Sequence, residues 1–135
     1  MVPYERFTAW QLAHALALEV YRLTRAFPIE ERYGLTSQAR RAAFSIAATI
    51  AEGSAKRGPA EFRRFLDMSL GSLSELAYVL RLAKDLGLMT NGEWEQVDLL
   101  RDRAGKATWV LYRSVAQAAA PTAVPPYRST APRRD

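Results

Sequence analysis

The sequence predicts an all-α protein, an antiparallel up-down-up-down four-helix bundle. Apolar residues recur at steps of three and four through four successive segments, the signature of amphipathic helices. No segment alternates apolar and polar with period two over five or more residues, so no strand is expected. Pro28, Gly58-Pro59 and Gly87 separate the segments by connections short enough to make neighbours of consecutive helices.

Thr8 is the expected N-cap of a first helix that runs to about Ala26, with Pro28 ending it. Its core stripe is Ala9, Leu12, Leu16, Val20, Leu23 and Phe27. A second stripe of Trp10, His14, Ala17, Leu18 and Tyr21 flanks it, which is more apolar width than a monomer needs. In the connection Pro28–Leu35, Gly34 is read as a positive-φ turn residue, and Thr36 or Ser37 as the cap of helix two.

Helix two is the most informative segment because it is apolar on two opposite sides. At 100° per residue, Ala39, Ala42, Ala43, Ile46, Ile50 and Gly53 fall on one side and Phe44, Ala47, Ala48, Ala51 and Ala55 on the other. Arg41, Ser45, Glu52 and Lys56 form the polar stripe between them. A helix apolar nearly all round is buried on two sides, and one short chain covers only one of them. The other side calls for a second subunit, with Phe44, Ala47, Ala48, Ala51, Trp10 and Tyr21 as its interface.

Pro59 suits the first turn of helix three, which carries Phe62, Leu66, Ser69, Leu73, Leu76, Leu80 and Ala83 on its main stripe. Phe65, Ser72, Val79 and Leu86 widen it, and Gly87 supplies the stop. Asn91 opens helix four, with Trp94, Val97, Leu100 or Arg101, Ala104, Ala107, Leu111 and Val115 facing inward. Gly71 and Gly105 within helices suggest close backbone approach, inside the bundle or between subunits. Residues 1–120 form the bundle domain; residues 121–135, with their prolines and no periodicity, are expected to be a disordered tail.

Composition narrows the function. The chain has 135 residues, one domain's length, and no cysteine, which excludes disulfides, thiolate metal sites and thiol nucleophiles. No signal peptide or membrane span is expected, and a cytoplasmic location fits. The net charge of +5 is concentrated: residues 36–64 hold six basic groups (Arg40, Arg41, Lys56, Arg57, Arg63 and Arg64) against Glu52 and Glu61. Such a cluster is either a footprint for nucleic-acid phosphates or a solvated rim with intersubunit ion pairs.

Catalysis has no carrier. His14 is the single histidine and lies along an apolar flank, where packing or interface duty is its ordinary role. A di-metal bundle site needs two Glu-x-x-His pairs, and a phosphate loop needs a Gly-Lys-Ser/Thr ending that Gly53–Gly58 lacks. No cofactor or metal is expected. Ser45, Glu52 and Glu75 are assigned structural polar roles. Glu52 lies roughly 16 Å along the helix from Arg41, so any strong partner comes from another helix or chain. Glu75 is read as a structural ion pair or capping contact in preference to half of a catalytic pair. Trp10, Tyr21, Trp94, Trp109 and Tyr112 recur at helical spacing, which favours packing over base stacking.

Several motifs in order resemble the small four-helix-bundle proteins of the 23S ribosomal RNA intervening-sequence, or S23, family. They are Val20-Tyr21 to Phe27-Pro28, Tyr33-Gly34-Leu35, Arg40-Arg41-Ala42-Ala43-Phe44-Ser45-Ile46, Ile50-Ala51-Glu52-Gly53, Phe62 with Phe65-Leu66, and Gly71-Ser72-Leu73 with Glu75-Leu76. The resemblance spans about residues 7–116. Ala47 stands where the family usually has proline, and Thr49 where it often has asparagine; losing that proline should straighten helix two. The resemblance implies a closed ring, commonly a homopentamer, in bacterial proteins of thinly known function. A related branch accompanies diversity-generating retroelements and binds nucleic acid and a reverse transcriptase. RNA or DNA, or a protein partner such as a reverse transcriptase, are therefore the expected partners beside the chain itself.

Overall fold

Apolar residues at helical spacing and well-placed stops give four α-helices in the computed structural model, which describes residues 2–119. They are α1 (Thr8–Thr24), α2 (Leu35–Ser54), α3 (Gly58–Asp85) and α4 (Asn91–Ala119), with short 3-10 turns at Pro3–Arg6 and Ile29–Glu31. No strand occurs among the described residues. The tail expected over 121–135 lies outside them. No helix among the described residues is long and apolar enough to cross a membrane, and no group of side chains there could hold a metal ion.

Each helix packs on its neighbours in sequence, α4 returns against α1, and the backbones of the α1–α3 and α2–α4 diagonals stay apart. The four therefore surround one core, whose fully buried side chains include Leu16, Ile46, Ile50, Leu66, Leu76, Leu80 and Val97. Burying each such side chain stabilises the fold by about 1.5–3 kcal/mol. In α2 the buried set is Ala39, Ala42, Ala43, Ile46, Ile50 and Gly53, the first of the two sides separated by helical periodicity. Alanine and glycine at these positions let α3 approach closely: a Cβ on Gly53 would meet the Phe65 Cβ at 2.7 Å.

Several local expectations need correction. Thr8 is the first residue of α1, not its cap; Phe7 holds the cap position without a side-chain bond. The 3-10 turn before it ties back instead, with Gln11 Nε2 donating to the Glu5 carbonyl at 2.8 Å. α1 stops at Thr24, and Ala13 is buried where Leu12 was expected, leaving Leu12 half-buried. Gly34 has φ −109°, so it is no positive-φ turn. Its missing side chain matters differently: a Cβ would sit 2.7 Å from Glu31 Oε1, the atom that accepts the Leu35 N–H at 2.9 Å and so caps α2. Thr36 and Ser37 lie inside the helix and do not cap it.

α2 is continuous through Ala47. Pro59 occupies the first turn of α3, and Gly58 takes φ +81° before it. Gly87 (φ +80°) ends α3 with Leu88 N–H donating to the Ala83 carbonyl and Gly87 N–H to Lys84, both at 2.9 Å, which satisfies carbonyls the helix end leaves open. Leu86, placed by periodicity on the inner stripe, is the C-cap and is exposed. α4 opens on a reciprocal capping box that the sequence reading missed: Thr90 Oγ1 accepts the Glu93 N–H at 3.0 Å, and Glu93 Oε1 accepts the Thr90 N–H at 2.9 Å.

Candidate functional site

Two features of α2 stand out, a groove along its second apolar side and a basic corner at its end. The groove lies between α1 and α2 and has a volume of about 500 Å³. Small side chains of α2 (Ala47, Ala48 and Ala51) line it together with Trp10, His14, Ala17, Leu18 and Tyr21 of α1, while Phe44 and Tyr4 complete it. All six residues assigned to an interface from sequence thus meet in one place. Phe44 is 62% exposed and Leu18 60%, although both are large and apolar. Trp10 is held by Tyr4 and His14, at 4.9 and 4.8 Å between ring centroids.

The six cations do not form one patch. Arg40 is occupied within the chain: its Nε donates to Thr24 Oγ1 at 2.8 Å, and its guanidinium stacks 4.6 Å from the Tyr21 ring centre. It ties the start of α2 to the end of α1. Arg41 is exposed and has no ion pair among the described residues, but fifteen positions of chain, roughly 20 Å, separate it from Lys56.

Lys56, Arg57, Arg63 and Arg64 do gather at the α2–α3 corner. Lys56 and Arg64 both lie over the Phe65 ring, at 5.2 and 4.8 Å. Phe65 is itself buried under Gly53, so the packing of α2 on α3 fixes where these cations sit. Arg57 precedes α3 and Arg63 projects from its first turns; both are exposed and without an ion pair among the described residues. Arg64 also donates to Glu61 at 3.1 Å, and this hydrogen bond, with the charge behind it, holds the Glu61 carboxyl below the usual carboxylate range.

The polar residues divide. Ser45 has the expected structural role: Ser72 Oγ donates to its Oγ at 2.9 Å. Thr49 extends this seam one turn on, bonding the Ser45 carbonyl at 2.6 Å and the Ser69 hydroxyl. Glu52 and Glu75 are exposed, and neither makes an ion pair or cap among the described residues, including the structural contact expected for Glu75. Gly71 and Gly105 are likewise open, with nothing within 4 Å of a built Cβ, so neither marks close approach inside the bundle. Gly53 does, and its signal lay in the short Ile50-Ala51-Glu52-Gly53 motif.

A comparison with curated proteins gives no match. Among solved structures, a protein of unknown function from the S23 ribosomal protein family of Bacteroides thetaiotaomicron shares the fold with a TM-score of 0.71. It is 18% identical, and the alignment covers 78% of this chain and 99% of that one. Neither that description nor the matching family model names an enzymatic activity. The model of the 23S rRNA-intervening sequence protein family matches residues 5–108, most of the bundle, and the chain belongs to that family.

Proposed function

We propose that this protein is a non-enzymatic, self-assembling bundle whose copies join through the α1–α2 groove into a closed ring, a homopentamer, and that the ring presents its basic corners to the phosphates of RNA or DNA. The observation that carries the reading is the open groove, with Phe44 62% exposed above a floor of alanines. Contiguous apolar surface of this kind is uncommon on a monomer. The helix order supports an antiparallel up-down-up-down subunit: Ser45 meets Ser72, Thr49 meets Ser69 and Gly53 meets Phe65, so numbers rise along α3 as they fall along α2.

Nucleic-acid binding rests on Lys56, Arg57, Arg63 and Arg64, with Arg41 as an outlying contact; Arg40 is withdrawn from it by Thr24 and Tyr21. One corner with a few cations is weak, but a ring repeats it and gains avidity. The competing reading is a scaffold for a protein partner such as a reverse transcriptase, favoured by the Arg64–Glu61 pair and the internal use of Arg40, which leave fewer free cations.

Two measurements test these steps in turn. Light scattering on the eluting protein should give a mass several times the 15.1 kDa chain, and Ala48→Glu should return it to a monomer. A monomeric wild type at micromolar concentration, or normal assembly of Ala48→Glu, overturns the groove interface. Gel retardation should show RNA or DNA binding that weakens steeply with salt, as counterion release requires. The triple variant Arg57→Glu, Arg63→Glu, Arg64→Glu should lose binding and keep its mass. No retardation by wild type at low salt leaves the scaffold reading in its place.

A further inference from the structure

The basic corner between α2 and α3 reaches a third part of the chain. The N-terminal 3-10 turn packs on α2, and its last residue, Arg6, is exposed with its guanidinium 5.0 Å from the centre of the Phe7 ring. Phe7 meets Phe62 of α3 at 5.7 Å between ring centres, and Phe62 and Phe65 both lie against Gly53. Lys56 and Arg64 stand on Phe65 in turn. Three linked phenyl rings thus bring Arg6 to the same end of the bundle as cations distant from it in sequence. None of the rings is open to a base: Phe65 is buried, Phe7 and Phe62 are half-buried, and cations lie over Phe7 and Phe65. The exposed aromatic side chains among the described residues are Tyr21 and Tyr33 toward and beyond the end of α1, Phe44 at the groove, and Tyr78, roughly 20 Å along α3 from Arg64.

Carboxylates share this neighbourhood. Glu61 is held by Arg64, Glu5 precedes Arg6, and Glu52 and Asp67 lie one helical turn from Lys56 and Arg63 without pairing to them. They leave little diffuse positive charge, so any grip depends on guanidinium forks that meet phosphates directly. Arg6, Arg57 and Arg63 are exposed, make no ion pair among the described residues, and so have such forks unspent on a carboxylate. Resting on the phosphate-binding reading above, we infer that Arg6 joins Arg57 and Arg63 as a phosphate contact, and that this corner grips the backbone of a nucleic-acid duplex without touching its bases. A single strand gains much of its hold from bases stacked on open rings, and the corner offers none. A duplex stacks its bases inside, presents phosphates of two strands, and releases more counterion per phosphate neutralised than a single strand does. Guanidiniums acting alone therefore favour the duplex.

Fluorescence anisotropy of the full chain with a labelled DNA duplex, and with each of its strands alone, tests this over a series of salt concentrations. The variants are Arg6→Gln and, as a control of equal charge change, Arg25→Gln, which alters an exposed, unpaired arginine at the other end of α1. Circular dichroism and light scattering check that both keep the fold and mass of wild type. Wild type should hold the duplex more tightly than either strand. Arg6→Gln should weaken duplex binding and reduce the slope of log affinity against log salt by about one for each engaged subunit. Arg25→Gln should leave affinity and slope nearly unchanged. If the strands are held as tightly as the duplex, or if Arg6→Gln behaves as Arg25→Gln does, this inference is overturned while phosphate binding stands. A wild type that holds neither duplex nor strand at low salt overturns both.

Discussion

Replacing Gly53 and Gly71 with alanine, one at a time, should move stability in opposite directions. Both glycines lie inside helices, where alanine is favoured over glycine by about 1 kcal/mol. At Gly71 nothing lies within 4 Å of the new Cβ, so that gain should appear in full. At Gly53 the new carbon would meet the Phe65 Cβ at 2.7 Å and Phe62 Cδ1 at 3.0 Å. Comfortable carbon contacts begin near 3.5 Å, so α2 and α3 must separate by several tenths of an ångström or more. A Cβ is fixed to its backbone and cannot swing aside as the end of a long side chain does.

Overpacking of this kind costs about 1–3 kcal/mol, and the helix-propensity gain offsets about 1 of it. We expect Gly53→Ala to lose about 1 kcal/mol net and Gly71→Ala to gain about 1. Urea unfolding followed by circular dichroism, at one protein concentration so that assembly is held constant, reads both. Because Phe65 carries Lys56 and Arg64 on its ring, Gly53→Ala should also weaken nucleic-acid retardation, which Gly71→Ala has no route to do through this contact. A stabilised Gly53→Ala would refute the close crossing of α2 on α3 as the reason for glycine there.

Thr90→Ala removes one half of the capping box of α4 and should cost about 1 kcal/mol by urea unfolding; no loss would mean that the box adds nothing to α4. Arg40→Ala should cost about 1–2 kcal/mol through its lost bond to Thr24 and stack on Tyr21, yet leave RNA or DNA retardation nearly unchanged. A loss of retardation without loss of stability would return Arg40 to the phosphate contacts. The Glu19 carboxyl is held below its usual range chiefly by the hydrogen bond from Arg22, so its contribution is present above the ordinary carboxylate pKa and is lost as pH falls through the lower folded value. Stability measured from pH 5 to 3 should therefore decline less steeply in Glu19→Gln than in wild type, and equal slopes would count against the pair.

Periodicity determined by itself what periodicity can encode. The buried side of α2 and the flanking stripe of α1 followed from side-chain spacing because a helix turns by a fixed angle per residue, whatever packs on it. Gly58-Pro59 and Gly87 marked real boundaries for the same local reason: their backbone conformations are dictated by covalent structure. The groove residues were legible as a set because the second apolar side of α2 and the flanking stripe of α1 both follow from helical spacing.

What the sequence did not determine depends on which atoms meet across space. Six nearby cations read as one cluster, but tertiary packing gave Arg40 to the end of α1 and placed Lys56 and Arg64 on a single phenyl ring. Gly53, Gly71 and Gly105 look alike in a helix, and only the position of Phe65 separates the glycine that is required from the two that are open. Glu31 capping α2 across Gly34 was hidden for the same reason, since a side chain four residues before the first residue of the helix had to fold back over a position with no Cβ. Helical spacing is a property of the chain, whereas the partner of a charge or the need for a missing side chain is decided by the neighbouring helix.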